Sequence, residues 1–82
     1  MMSREQIIET VNTFLIDEIE VEEDQIKDSA LLKEDLGIDS LDFVDIVVIV
    51  EHHFGFKIKP SDMEGVRTLA QFYDFIESKI NN

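Results

Sequence analysis

The sequence contains no cysteine, so its side chains can supply neither disulfide bonds nor thiolate chemistry. It also lacks any apolar run near the ~20 residues that a membrane-spanning helix needs, since the run from Ile46 to Val50 is far too short. The first residues lack the apolar stretch of a signal peptide. These absences argue against a secreted, disulfide-stabilised protein and against a membrane span. We therefore expect a cytoplasmic protein.

Positive charge is also scarce. Seven Lys and Arg residues stand against 19 Asp and Glu residues, which gives a formal net charge of −12. Such a surface repels nucleic acid and anionic lipid, and it attracts basic patches on partner proteins. Part of the acidity, notably between Glu18 and Asp24, is interpreted as a solvated face that keeps the protein soluble and monomeric. We expect a monomer that binds basic protein surfaces and no nucleic acid.

The 82 residues suffice for one small domain, which we place at 1–82. Capping patterns and apolar spacing predict three main helices, at about residues 4–17, at about residues 41–54 and from residue 68 onward. A short helical turn is predicted after Pro60, capped by Ser61. The third helix should bury Leu69, Phe72, Ile76 and Ile80, flanked by Tyr73 or Phe75. The predicted fold is all-α: a small four-helix bundle, three main helices plus one short helix, with a long first connecting loop.

The predicted second helix is apolar on two faces. One face carries Phe43, Ile46, Val47, Val50 and Phe54, and the other carries Leu41, Val44 and Val48. A helix that is apolar nearly all round is either buried on all sides or meets a second partner, and a chain of this size cannot bury it fully. The second face is therefore a candidate docking surface. It is bordered by the acidic residues Asp39, Asp42, Asp45 and Glu51.

A short motif stands at the start of this helix. Gly37 ends the preceding loop, and either Asp39 or Ser40 is the expected N-cap. The N–H groups and dipole of a helix N-terminus favour a negatively charged group, so Ser40 is well placed to carry a phosphate ester. The stretch Asp35-Leu36-Gly37-Ile38-Asp39-Ser40-Leu41 resembles the phosphopantetheine attachment motif of acyl carrier proteins.

This resemblance implies that Ser40 carries a 4′-phosphopantetheine arm, whose thiol holds acyl groups as thioesters. It implies a carrier that catalyses nothing and serves fatty acid, specialised lipid or polyketide biosynthesis. Asp39 and Leu41 would flank the attachment site. The implied partner-binding residues are Asp39, Leu41, Asp42, Val44, Asp45, Val48 and Glu51. The implied partners are a phosphopantetheinyl transferase and acyl-transferring, condensing and reducing enzymes with basic docking patches.

Catalysis at Ser40 and metal binding are both disfavoured by the sequence. The only histidines, His52 and His53, would lie roughly 18–20 Å from Ser40 along the same helix, beyond the reach of a general base. Calcium loops starting at Asp24 or Asp35 lack the required glycine and final glutamate. Adjacent histidines on a helix also diverge by about 100°, which makes a poor chelate.

One different class of function remains open. The chain could be an unmodified acidic helical module that binds a basic protein partner, with Ser40 acting only as a helix cap. Within the carrier interpretation, His52 and His53 stand where fatty-acid carriers usually have acidic residues. This difference leaves open whether the cargo is that of general fatty acid synthesis or of a dedicated pathway.

Overall fold

A computed structural model describes residues 2–81, which form three α-helices and two short 3₁₀ turns. The helices are α1 (Arg4–Asp17), α2 (Ser40–Phe54) and α3 (Leu69–Ile80), and the turns are Glu23–Gln25 and Pro60–Met63. Between residues 2 and 81 there is no β-strand, only an isolated bridge of Leu31 with Thr68. The predicted all-α class and its three main helices are confirmed. The short fourth helix is the 3₁₀ turn at Pro60–Met63.

Local signals set the ends of the helices. At the start of α1, the Ser3 hydroxyl accepts a hydrogen bond from the Gln6 N–H, and the Gln6 side chain accepts one from the Ser3 N–H. Thr68 and Gln71 form the same reciprocal pair at the start of α3. Gly55 ends α2 in the left-handed conformation, with φ of 78°.

The cap of the short 3₁₀ turn differs from the prediction. Ser61 lies inside the turn, which begins at Pro60. The carboxylate of Asp62 accepts a hydrogen bond of 3.0 Å from the Lys59 N–H and so closes the start of the turn. Proline suits the first position because its φ is already helical and it has no N–H to leave unsatisfied.

The core draws on all three helices and on the segments between them. Its fully buried side chains are Ile7, Val11, Phe14, Leu15, Val50, Leu69, Phe72, Tyr73 and Ile76. α1 and α3 pack directly against each other, and Arg4 joins their surfaces by contacting Asp74 at 2.6 Å and Glu77 at 3.1 Å. Ile80, predicted to be buried, is only half-buried, and Tyr73 takes a place in the core.

The long connection before α2 is ordered because it completes the start of α3. The first N–H groups of a helix have no partner inside the helix. Here Leu69 donates to the carbonyl of Ala30 at 2.9 Å, and Ala70 donates to the carbonyl of Asp28 at 3.0 Å. The Leu32 N–H also donates to the carbonyl of Arg67 at 2.9 Å. The loop that leads to Ser40 is thereby fixed to α3.

Candidate functional site

A closed turn brings the chain to the start of α2. The Asp35 carboxylate accepts a hydrogen bond from the Leu31 N–H at 2.8 Å, while the Asp35 N–H donates to the Leu31 carbonyl at 2.9 Å. Leu36 is buried in the core, and Gly37 follows with φ of 69°, a conformation that side-chain-bearing residues rarely adopt. The Ile38 N–H then donates to the Leu32 carbonyl at 3.0 Å. Each position of the motif before Asp39 therefore has a structural task.

Asp39 is the N-cap of α2. One of its carboxylate oxygens accepts hydrogen bonds from the N–H groups of Leu41 at 3.0 Å and Asp42 at 2.9 Å. The Asp42 carboxylate in turn accepts from the Asp39 N–H at 3.3 Å. Of the two candidate caps, Asp39 therefore fills the role and Ser40 is the first residue of the helix. The Ser40 hydroxyl is not needed to start α2.

Ser40 is exposed at this helix start and borders an open groove of about 350 Å³. Apolar side chains from three parts of the chain line the groove, among them Ile38, Phe43, Met63 and Val66. Charged side chains, Lys33, Asp39 and Glu64, lie at the same groove. Within residues 2–81 the Ser40 hydroxyl makes no hydrogen bond. An exposed hydroxyl beside an open groove fits covalent attachment of a long, flexible group such as phosphopantetheine.

The outward face of α2 is strongly apolar. Leu41 is 77% exposed, Val44 61% and Val48 63%, whereas Ile46 and Val50 on the opposite side are buried. Asp39, Asp45 and Glu51 are exposed along this face, and Asp42 is half-buried. The predicted docking residues therefore share one accessible surface, which we call the α2 outer face.

Two details of charge and packing on α2 were not evident from the sequence. The Glu51 carboxylate lies 4.0 Å from the Lys57 ammonium, so part of its charge is offset. Phe43, whose orientation the sequence left uncertain, is half-buried, packs against the core and lines the groove beside Ser40. Asp45 has no cation within 4.0 Å in residues 2–81, which makes it the better candidate for an electrostatic contact with a partner.

The two histidines lie at the other end of α2 from Ser40. The His53 ring stacks on Phe14, with centroids 6.1 Å apart, and its Nε2 lies 3.9 Å from a carboxylate oxygen of Glu18. His52 packs edge-on against His53. Among residues 2–81, no three His, Cys, Asp or Glu side chains are grouped to hold a metal ion. The same residues include no helix long and apolar enough to cross a bilayer.

The neighbours of Ser40 from outside the motif were missed by the sequence reasoning. Lys33, Met63, Glu64 and Val66 all line the groove, whereas the sequence predicted only that Asp39 and Leu41 flank Ser40. The approach of the Pro60–Met63 turn to the start of α2 depends on the packing of distant segments. No local sequence signal reports such an approach.

Comparison with known proteins agrees with this geometry. The family model described as phosphopantetheine attachment site matches residues 9–76, a span that includes Ser40. The acyl carrier protein of Thermotoga maritima is 39% identical over 80 residues, covering 98% of this chain and 99% of that protein. The acyl carrier protein of Coprothermobacter proteolyticus is 37% identical over 79 residues, covering 96% of each. That of Thermosynechococcus vestitus is 32% identical over 79 residues, covering 96% and 98%.

Proposed function

Because this chain belongs to the acyl carrier protein family, whose prosthetic group is 4′-phosphopantetheine, we propose that it carries acyl intermediates on an arm attached to Ser40. The observation that supports this site most directly is the exposure of Ser40 as the first residue of α2, beside an open groove. When attached, the arm supplies a thiol on which acyl groups are held as thioesters. The chain itself contributes no catalytic group and serves enzymes as a substrate shuttle.

The chain's own residues would present the serine in a fixed direction. Asp39 and Asp42 satisfy the first N–H groups of α2, so the serine hydroxyl stays free for modification. The Asp35–Leu31 hydrogen bonds and the buried Leu36 hold the preceding turn against the core. A transferase would therefore meet a serine held on a rigid backbone, which lowers the entropic cost of positioning the nucleophile.

The α2 outer face is the proposed docking surface for partner enzymes. Its apolar centre, Leu41, Val44 and Val48, would be buried on binding, while Asp39, Asp42, Asp45 and Glu51 at its rim would meet basic residues. The exposed valines and leucine favour this role because apolar side chains grouped on the surface of a small protein commonly mark interaction sites. The proposed partners are a phosphopantetheinyl transferase and acyl-transferring, condensing and reducing enzymes.

We propose that the protein serves fatty acid, specialised lipid or polyketide biosynthesis, as a cytoplasmic monomer that binds no nucleic acid. The single domain at 1–82 would carry both the attachment site and the docking surface. The net charge of −12 favours enzymes with basic surfaces as partners in any of these pathways.

Intact mass spectrometry tests the attachment site. The apo protein is incubated with a phosphopantetheinyl transferase and coenzyme A, and the wild type should gain the mass of one phosphopantetheine while Ser40→Ala gains none. The chain provides its own controls, because Ser3, Ser29, Ser61 and Ser78 are also exposed and should remain unmodified. Modification at one of these serines would refute the assignment of Ser40. No modification of the wild type would favour the unmodified acidic module.

A further inference from the structure

The start of α2 favours an anion at Ser40, but the carboxylates around the serine oppose the negative charge that a phosphodiester brings. Asp39 and Asp42 lie on either side of it in the chain, and Glu64 lines the same groove. The whole chain already carries a net charge of −12. Like charges at short range raise the free energy of the loaded form unless a cation offsets them. A cation at the groove would therefore stabilise the loaded form.

Lys33 is that cation. It lines the groove beside Ser40 and also a second cleft, of about 320 Å³, which it shares with Arg67. The two clefts have Leu32, Lys33 and Val66 in common, so they adjoin each other. Glu34 lines the second cleft as well, and it is the carboxylate nearest in sequence. Within residues 2–81, Lys33 makes no ion pair within 4.0 Å, so its ammonium is available for another anion.

The backbone around Lys33 is held in place. The Leu32 N–H donates to the Arg67 carbonyl at 2.9 Å, and the Leu32 carbonyl accepts from the Ile38 N–H at 3.0 Å. These two bonds join the segment that carries Lys33 to Arg67 on one side and to the residue before Asp39 on the other. Lys27, the other lysine between residues 17 and 51, lines neither cleft and gives a natural control.

We propose that Lys33 is a positioning residue for the phosphodiester attached to Ser40, with Arg67 adding to the positive potential from the adjoining cleft. This inference depends on the proposed attachment at Ser40. A lysine ammonium acts on a phosphate as a compact, mobile point charge, which suits a group whose exact position varies as the arm moves. The loaded form is stabilised, and the first part of the arm lies over the groove.

A thermodynamic cycle tests this role. Wild type, Lys33→Gln, Lys33→Arg and Lys27→Gln are prepared without the arm and fully loaded, with loading verified by intact mass. Unfolding by urea at low salt is then measured for each pair. For each variant, the ratio of the unfolding equilibrium constants of the loaded and unloaded forms measures the effect of loading on stability. In Lys33→Gln this ratio should be about 1.5 to 5 times that of the wild type, the range expected when a partly exposed ion pair is lost. Lys33→Arg should restore the wild-type value, and Lys27→Gln should leave it unchanged.

A second measurement is independent of stability. The ³¹P resonance of the loaded protein should shift on Lys33→Gln but not on Lys27→Gln, and the difference should decrease at high salt because exposed charges are screened. Equal behaviour of the two variants in both measurements would overturn the role of Lys33 while leaving attachment at Ser40 intact. If the wild type shows no mass gain at all, the proposed function fails, and this inference fails with it.

Discussion

Asp39 and Asp42 cap each other across Ser40. The Asp42 N–H donates to the Asp39 carboxylate at 2.9 Å, and the Asp39 N–H donates to the Asp42 carboxylate at 3.3 Å. The serine between them therefore stands on a helix start that is complete without its hydroxyl. This arrangement separates the residue proposed to react from the residues that hold the local structure.

The first prediction separates these two roles by stability. Asp39→Ala should lower the free energy of unfolding by about 1 kcal/mol, because it removes the cap of α2. Ser40→Ala should change it by less than about 0.5 kcal/mol, because alanine is well tolerated at an exposed helical position. Urea denaturation of the protein without its arm measures both, with Asp39→Asn as a control that keeps a capping oxygen. Equal losses in Asp39→Ala and Ser40→Ala would mean that the serine hydroxyl supports α2.

The second prediction concerns the apolar centre of the α2 outer face. Val48→Asp should leave the fold helical, because Val48 is 63% exposed, and should mainly speed dissociation from a purified phosphopantetheinyl transferase. Ile46→Asp is the matched control: it puts a charge at a site only 3% exposed and should unfold the domain. Circular dichroism checks the fold, and surface plasmon resonance gives the two rate constants. If Val48→Asp unfolds the chain, the two faces of α2 have been assigned the wrong way round.

The third prediction concerns the charged rim of the same face. Asp45→Lys should mainly slow association with the transferase, because rim charges act on the encounter rate. The effect should be large at low salt and small at 0.15 M, where the Debye length is about 8 Å. Glu51→Lys should have a smaller effect, since Lys57 lies 4.0 Å from the Glu51 carboxylate and offsets part of its charge. An association rate that does not depend on salt would argue against electrostatic docking.

The fourth prediction concerns the turn before Ser40. Gly37 has φ of 69°, and a Cβ placed there would meet no atom within 4 Å, so Gly37→Ala costs conformational energy only. We expect a loss of about 1 kcal/mol in the free energy of unfolding. Gly65→Ala, with equal space and no positive φ, should be neutral or slightly stabilising. Equal effects of the two substitutions in urea denaturation would show that the left-handed conformation of Gly37 is not required.

The fifth prediction concerns the single tyrosine. Burial raises the pKa of Tyr73 to about 12, against the lowering effect of its hydrogen bond to Asn12. The neutral phenol is favoured in the folded state, so its contribution to stability is complete below pH 10 and is lost as the pH rises toward 12. Tyr73 is the single tyrosine of the sequence and there is no tryptophan, so tyrosinate absorbance reports Tyr73 alone. This absorbance should rise at a clearly higher pH in the folded protein than in the urea-unfolded chain. Coincident curves would show that the phenol is not buried.

Much of the helical framework was predictable from local patterns. The bounds of α1, the stop at Gly55 and the capping pair of Thr68 and Gln71 follow from signals within four residues of each helix end. The division of α2 into a buried and an exposed face follows from the 3.6-residue period. The cap of the Pro60–Met63 turn was predicted wrongly: Ser61 was expected there, but the turn begins at Pro60, Lys59 occupies the N-cap position, and the Asp62 carboxylate accepts the hydrogen bond of the Lys59 N–H.

The sequence by itself determined the approximate ends of the three α-helices and the two apolar faces of α2. It also determined that Ser40 stands in a stretch that resembles the phosphopantetheine attachment motif. These properties are local, because they depend on hydrogen bonds and side-chain spacing within a few residues. Only the tertiary structure decided that the loop of Asp28 and Ala30 completes the start of α3, that Tyr73 enters the core, and that Lys33 lies at the groove of Ser40. Apolar spacing shows that a helix face must be covered, but the segment that covers it is selected by close packing of the whole chain.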